Sequence, residues 1–154
     1  MSVENFTQLV SKVTQKIAGL PVDKNLQTLL NETFPADSQV FKDIRNAIEK
    51  GIAEGWMCQY ENGGVKYGRV VKPTPLLNNC SIDVVEMADC KGMHHGHSEG
   101  EIDMIMPIDP NAKFDGHPAG WLVYEPGSAH NPTVSDGKAW VLYLLPNGKI
   151  EFTK

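Results

Sequence analysis

The sequence is poor in what several function classes require. It holds only two arginines, Arg45 and Arg69, and its 14 basic residues face 19 acidic ones, for a net charge of −5. Nucleic-acid binders need a basic face, and no Lys/Arg stripe is present, so nucleic acid is not an expected partner. Its three cysteines, Cys58, Cys80 and Cys90, are odd in number and form no Cys-x-x-Cys pair. That argues against a disulfide framework and a thiolate zinc site, and a reducing, cytoplasmic setting is expected. The N-terminus lacks a basic region followed by an apolar run, so no signal peptide is expected. No apolar stretch approaches a membrane span, and no membrane association is expected. Nucleotide and flavin fingerprints, internal repeats and low-complexity tracts are also lacking. What is present is 154 residues, 41 % of them apolar and 21 % charged, enough for one compact domain with a real core.

The first third reads as helix. Phe6, Leu9, Val10, Val13, Ile17 and Leu20 recur at three- and four-residue steps and make one apolar face, closed by Gly19 and Pro21. Leu26, Leu29 and Leu30 continue the pattern up to Pro35. Asp37 or Ser38 can cap a second long helix carrying Val40, Phe41, Ile44, Ile48 and Ile52, with Gly55 at its end. From Trp56 the period is nearer two. Asn62-Gly63-Gly64, Asn78-Asn79, Asp115-Gly116, Asp136-Gly137 and Asn147-Gly148 mark turns. Strands are expected near 56–60, 65–72, 81–88, 93–97, 101–106, 120–125, 138–145 and 149–153. The division is a helical segment, 1–55, packed on a β-barrel, 56–154. Residues 139–145, Ala-Trp-Val-Leu-Tyr-Leu-Leu, are apolar at both parities. Both faces of that strand should be buried, one inside the barrel and one under the helices or a second subunit, and a homodimer is expected on this ground.

All five histidines fall between residues 94 and 130. His95 and His97 have the same parity and so share a face of a strand, while His94 points away. A short turn at Ser98-Glu99-Gly100 lets the next strand carry Glu101 back beside them, with Glu99 as a competitor. The Pro126-Gly127 corner can aim His130 into the barrel mouth. Three imidazoles and a carboxylate suit one divalent transition metal per chain, whether iron, manganese, nickel or zinc, and leave open positions for water or substrate.

His95-x-His97-x-x-x-Glu101 resembles the first metal motif of the cupin superfamily, and Gly120 through Pro126-Gly127-x-x-His130 resembles the second. The resemblance implies a mainly β, cupin-type jelly-roll barrel with metal ligands His95, His97, Glu101 and His130. Over nearly the whole chain, the helical N-terminus, Gly55-Trp56, Tyr67-Gly68-Arg69-Val70, the His-rich stretch and the Pro-Gly-Ser-x-His corner are similar to the 4-hydroxylaminobenzoate lyase family. That resemblance implies a metal-dependent lyase of nitroarene degradation, converting a small aromatic carboxylate, 4-hydroxylaminobenzoate, to protocatechuate with release of ammonia.

Such a substrate needs a cation for its carboxylate, and Arg69 can pair with it bidentately. It needs walls for its ring, and Trp121, Tyr124, Tyr143 and Trp140 lie on the late strands. Asp103, two residues beyond Glu101, and His117, in the loop after Asp115, are the candidates for acid–base work. Two rivals stand beside the lyase: an iron(II) dioxygenase of the same barrel type, and a non-catalytic cupin that binds a small ligand.

Overall fold

A computed structural model describes residues 2–153. Three helices come first. In α1, Val3–Lys16, the Ser2 side chain accepts from the Asn5 amide. In α2, Lys24–Thr33, Asp23 caps the Leu26 amide. In α3, Gln39–Glu54, Ser38 is the cap and Gly55 ends the helix in the left-handed region at φ 87°. Each start satisfies an amide that the helix itself leaves unpaired.

Ten strands follow: β1, Tyr60–Asn62; β2, Val65–Thr74; β3, Cys80–Lys91; β4, His95–His97; β5, Glu101–Pro107; β6, Lys113–Phe114; β7, Gly120–Tyr124; β8, Ser128–His130; β9, Thr133–Pro146; and β10, Glu151–Phe152. They form a seven-stranded sheet, β1-β2-β3-β9-β5-β7 with β6 also on β9, and a three-stranded sheet, β10-β4-β8. All pairings are antiparallel. The fold is mainly β, a cupin-type barrel with an N-terminal helical segment.

The expected strand at 56–60 is present only at its last residue. Trp56–Cys58 instead turn back under α3, where the Trp56 and Met57 amides both donate to the Gly51 carbonyl. Strands β6 and β8 fall where no strand was expected, because two- and three-residue strands carry no periodic signal. Asp136-Gly137 is no chain-reversing turn. It is a bulge inside β9, with φ of 61° and 132°, opposite a second irregularity at Asp89 in β3. The Gly137 amide donates to Asp89 Oδ1, and a Cβ on Gly137 would meet Asp109 at 2.6 Å. The paired bulges bend β3 and β9 together and curl the large sheet toward the small one.

Strand β9 is buried on both faces, as its double apolar parity predicts. Trp140, Leu142 and Leu144 join the core beneath the helices, with Phe6, Val10, Leu30, Phe41, Ile44 and Ile48. Val141, Tyr143 and Leu145 join a second cluster inside the barrel, with Val85, Met87, Ile105, Phe114 and Leu122. Arg45 of α3 fastens the layers, donating to the Pro107 carbonyl and lying over the Trp140 ring. The chain's own helices cover the outer face of the sheet, so that face supplies no reason for a second subunit.

Candidate metal centre and adjoining cavity

The small sheet and the start of β5 bring four side chains to one point. His95 and His97 of β4 are buried on the same face. Gly100, at φ 90°, closes the turn after β4. A Cβ there would press on the Tyr124 carbonyl at 2.8 Å, so glycine is required, and Glu101 returns directly beneath the histidines. His130 of β8 stands opposite His95 in the strand register. It is delivered by a strand pairing rather than by the Pro-Gly corner alone.

The donor atoms converge. His95 Nε2 lies 3.1 Å from Glu101 Oε1, His130 Nε2 lies 3.2 Å from Glu101 Oε2 and from His95 Nε2, and His97 Nε2 lies 3.6 Å from Glu101 Oε2. One atom from each residue falls within 4.8 Å of every other. Ligands about 2.1 Å from a metal and at right angles to one another stand ~3 Å apart, so this spacing fits a single ion.

The hydrogen bonds around the cluster fix its tautomers. Ser128 Oγ donates its one proton to the Glu125 carbonyl at 2.5 Å and so accepts from His97 Nδ1 at 2.8 Å. That leaves His97 Nε2 unprotonated, buried and without a hydrogen-bond partner. His130 Nδ1 donates to Asp115 Oδ2 at 2.6 Å, which turns its Nε2 inward. A lone pair buried without a donor costs free energy unless an electrophile meets it, and a metal ion is such a group.

Ionisation follows the same pattern. Burial, reinforced by the neighbouring imidazoles against the pull of Glu101, lowers His97 to about 4, so the ring is neutral. Burial opposes ionisation of Glu101, but hydrogen bonds from His130 and His95 hold it well below the carboxylate range. Burial would also lower His130, yet Asp115 and Glu101 raise it to about 9. Burial likewise disfavours the Asp115 anion, and the bonds from His130 and Tyr124 still lower its pKa. A centre holding one anion and neutral imidazoles is ready for a divalent cation; here His130 must first give up its proton.

A cavity of about 750 Å³ opens beside this cluster. His95, Arg69 and Asp83 all border it, and Val65, Val85, Met87, Tyr143 and Phe152 line it. Arg69 Nε lies 2.7 Å from Asp83 Oδ1, and Arg69 Nη2 bonds Asp83 Oδ2 and the Gly148 carbonyl, each at 3.3 Å. Its Nη1 edge makes no hydrogen bond among the described residues.

The structure brings together His95, His97, Glu101 and His130, and sets Arg69 and Tyr143 on the adjoining cavity. Asp103 is completely buried on the Glu101 side of β5 and bonds no ligand histidine. Burial and the Glu101 charge push its pKa well up, so it is a neutral acid. Tyr124 is not a wall of the cavity. Its hydroxyl donates to Asp115 at 2.5 Å, and its ring lies 4.3 Å from that of His130, so it braces a ligand. Trp121 is also corrected. It pairs with Met104, whose parity is opposite to that of Glu101, and faces the helices, donating to the Phe34 carbonyl and packing edge-on against Phe41. Trp140 likewise lies on the outer face and donates to Glu86. His117 lies exposed in the turn after β6, away from the cluster, because its backbone closes a bridge to Phe114. Glu99 does not compete with Glu101, as it bonds Asn147 instead. His94 turns outward to Thr153, as its parity predicts.

Sequence reasoning missed Asp115, Ser128, Asp83 and Phe152. Asp115 read only as half of an Asp-Gly turn, and its φ of 49° shows that it is one. Its carboxylate also gathers His130, Tyr124 and the Thr133 amide. The strand expected near 149–153 is present as β10, but its partner had no signal in the sequence: it pairs with β4 and sets Phe152 opposite His95, with ring centroids 5.7 Å apart.

A curled antiparallel barrel with three histidines and a glutamate converging inside it defines a cupin-type protein with a candidate metal centre. Comparison with known proteins makes this more specific. A family model described as 4-hydroxylaminobenzoate lyase matches residues 8–152. The chain is 32 % identical over 161 residues to 4-hydroxylaminobenzoate lyase of Pseudomonas putida, an alignment covering 93 % of this chain and 89 % of that one. It is 29 % identical to the protein of the same name from Nocardioides sp. (strain LMS-CY), over 84 % of this chain and 82 % of that one. Among solved structures, an RmlC-like cupin protein from Ralstonia eutropha JMP134 aligns with a TM-score of 0.46 at 13 % identity, over 64 % of this chain and 66 % of that one. The chain belongs to the 4-hydroxylaminobenzoate lyase family, and it is an enzyme.

Proposed function

We propose that the chain converts 4-hydroxylaminobenzoate and water to protocatechuate and ammonia, with one divalent transition metal, iron, manganese, nickel or zinc, held by His95, His97, Glu101 and His130. The observation that carries this reading is one cavity lined by both His95 and Arg69, in a chain of this family. The reaction balances without an outside oxidant. The N–O bond is cleaved, one C–O bond replaces the ring C–N bond, a second replaces the adjacent ring C–H bond, and the two electrons that reduce nitrogen come from the ring.

When bound, the metal supplies a Lewis acid and lowers the pKa of a water. The residues of the chain do the rest. Arg69 takes the substrate carboxylate on its free Nη1 edge, while Asp83 holds the guanidinium in place. Val65, Val85, Met87 and Phe152 give the ring an apolar bed. Ser128 and Asp115 hold the His97 and His130 rings with their Nε2 atoms inward. The neutral carboxyl of Asp103, beside Glu101, is a proton source within the barrel.

The test is anaerobic incubation of the purified, metal-analysed protein with 4-hydroxylaminobenzoate, following ammonia and protocatechuate together. Equal amounts of both without oxygen are expected. Product that forms only with oxygen uptake would replace this reading with the dioxygenase, and binding without turnover would replace it with the ligand-binding cupin.

A further inference from the structure

Four residues form one register row across the large sheet. Arg69 of β2 stands opposite Asp83 of β3, Asp83 opposite Tyr143 of β9, and Tyr143 opposite Asp103 of β5. Directly paired residues of an antiparallel sheet share a face, so all four side chains project to the barrel interior. Three of them, Arg69, Asp83 and Tyr143, line the cavity. They stand among the apolar side chains of Val65, Val85 and Met87 on the same wall, with Lys91 and His95 also bordering the cavity.

Tyr143 differs from the other buried aromatic residues that carry a polar group. Trp121 donates to Phe34, Trp140 to Glu86 and Tyr124 to Asp115. The Tyr143 side chain is 4 % exposed, and its hydroxyl makes no hydrogen bond among the described residues. Its ring lies 6.3 Å from His95 on one side and 6.2 Å from Phe114 on the other, so neighbours hold its orientation. The ring is buried, but the hydroxyl is not among the fully buried polar atoms left without a partner, so it opens on the cavity it lines, where a ligand can bring an acceptor. Burial and the surrounding carboxylates keep it a neutral O–H donor.

We propose that Tyr143 is the hydrogen-bond donor to the nitrogen–oxygen group of the substrate, and that the row from Arg69 to Tyr143 is a ruler selecting para-substituted benzoates. The inference rests on the proposed aromatic-acid substrate. Arg69 and Tyr143 are two strand spacings apart, about 10 Å between backbones. A carboxylate at Arg69 therefore presents a para substituent to Tyr143 and, beyond it, to His95, and a meta substituent is directed into the side wall. Asp83 lies between them, already committed to Arg69, and repels a second anion from the middle of the row.

The test uses stable analogues and the metal-loaded protein. Dissociation constants are measured for 4-nitrobenzoate, 3-nitrobenzoate and benzoate with the unaltered protein, Tyr143→Phe and Arg69→Lys. The unaltered protein should bind 4-nitrobenzoate about tenfold tighter than 3-nitrobenzoate, the scale of one hydrogen bond. Tyr143→Phe should erase that preference, leave benzoate binding and the melting temperature unchanged, and lower kcat/KM for 4-hydroxylaminobenzoate about tenfold. Arg69→Lys should weaken all three ligands alike. A para preference that survives Tyr143→Phe would overturn the ruler and leave the proposed function standing. No binding of any benzoate by the unaltered protein would overturn both.

Discussion

The two faces of the large sheet are built from the same strands and do opposite work. On the outer face, Trp140, Leu142, Leu144, Met104 and Trp121 pack against the helices, and the N–H groups of both tryptophans have partners, Trp121 in Phe34 and Trp140 in Glu86. On the inner face the same strands carry Glu101, Asp103, Asp83 and Tyr143 among the apolar residues. There, several polar atoms lack partners: both oxygens of Asp103 and, across the barrel, His97 Nε2. A protein that only needed to fold would satisfy those atoms or replace them with apolar groups. The outer face is where stability is generated, and the inner face spends some of it on chemistry.

This contrast can be broken from either side. The largest effect is expected from His130→Ala, on the small sheet that closes over the inner face, which should abolish product formation while far-UV circular dichroism stays native; full activity would remove the four-residue centre from the chemistry. Leu142→Ala, on the outer face and wholly buried, should cost about 2–5 kcal/mol of unfolding free energy and leave metal stoichiometry intact. Urea unfolding with parallel metal analysis checks both halves. Asp115→Asn keeps the shape but weakens the bracing of His130, and should lower metal affinity ~10–100-fold in chelator competition.

The smallest effect is a slope with pH. In metal-free protein His130 is raised from 6.5 to about 9. A raised base stabilises the folded state fully below its unfolded value and ceases to do so as pH climbs through the folded one. The melting temperature of chelator-treated protein should therefore fall between pH 6.5 and 9, with the buried Asp103 acting in the same direction. Metal affinity should rise over that window, because His130 loses the proton that competes with the ion. A melting temperature that rises from pH 6.5 to 9 would contradict this assignment.

Much of this plan was legible from residue order, and its limits have physical causes. Apolar steps of three and four gave the helices, the double parity of 139–145 gave a strand buried on both sides, and the shared parity of His95 and His97 gave half the centre. Register was not legible. Without it nothing told that Trp121 sits opposite Met104 and so outside, or that Tyr143 sits opposite Asp103 and so inside. Short pairings were hidden for a different reason. β6 and β8 are two and three residues long and owe their place to the strand they join. Asp115 was hidden because a turn residue can also be a hydrogen-bond hub, and composition reports only the turn.

The most direct test is metal content per chain, measured after metal loading and desalting, for the unaltered protein and for His95→Ala/His97→Ala. The account requires one divalent ion per chain in the former and none in the latter, with both folded. A stoichiometric ion retained by the double variant would contradict it.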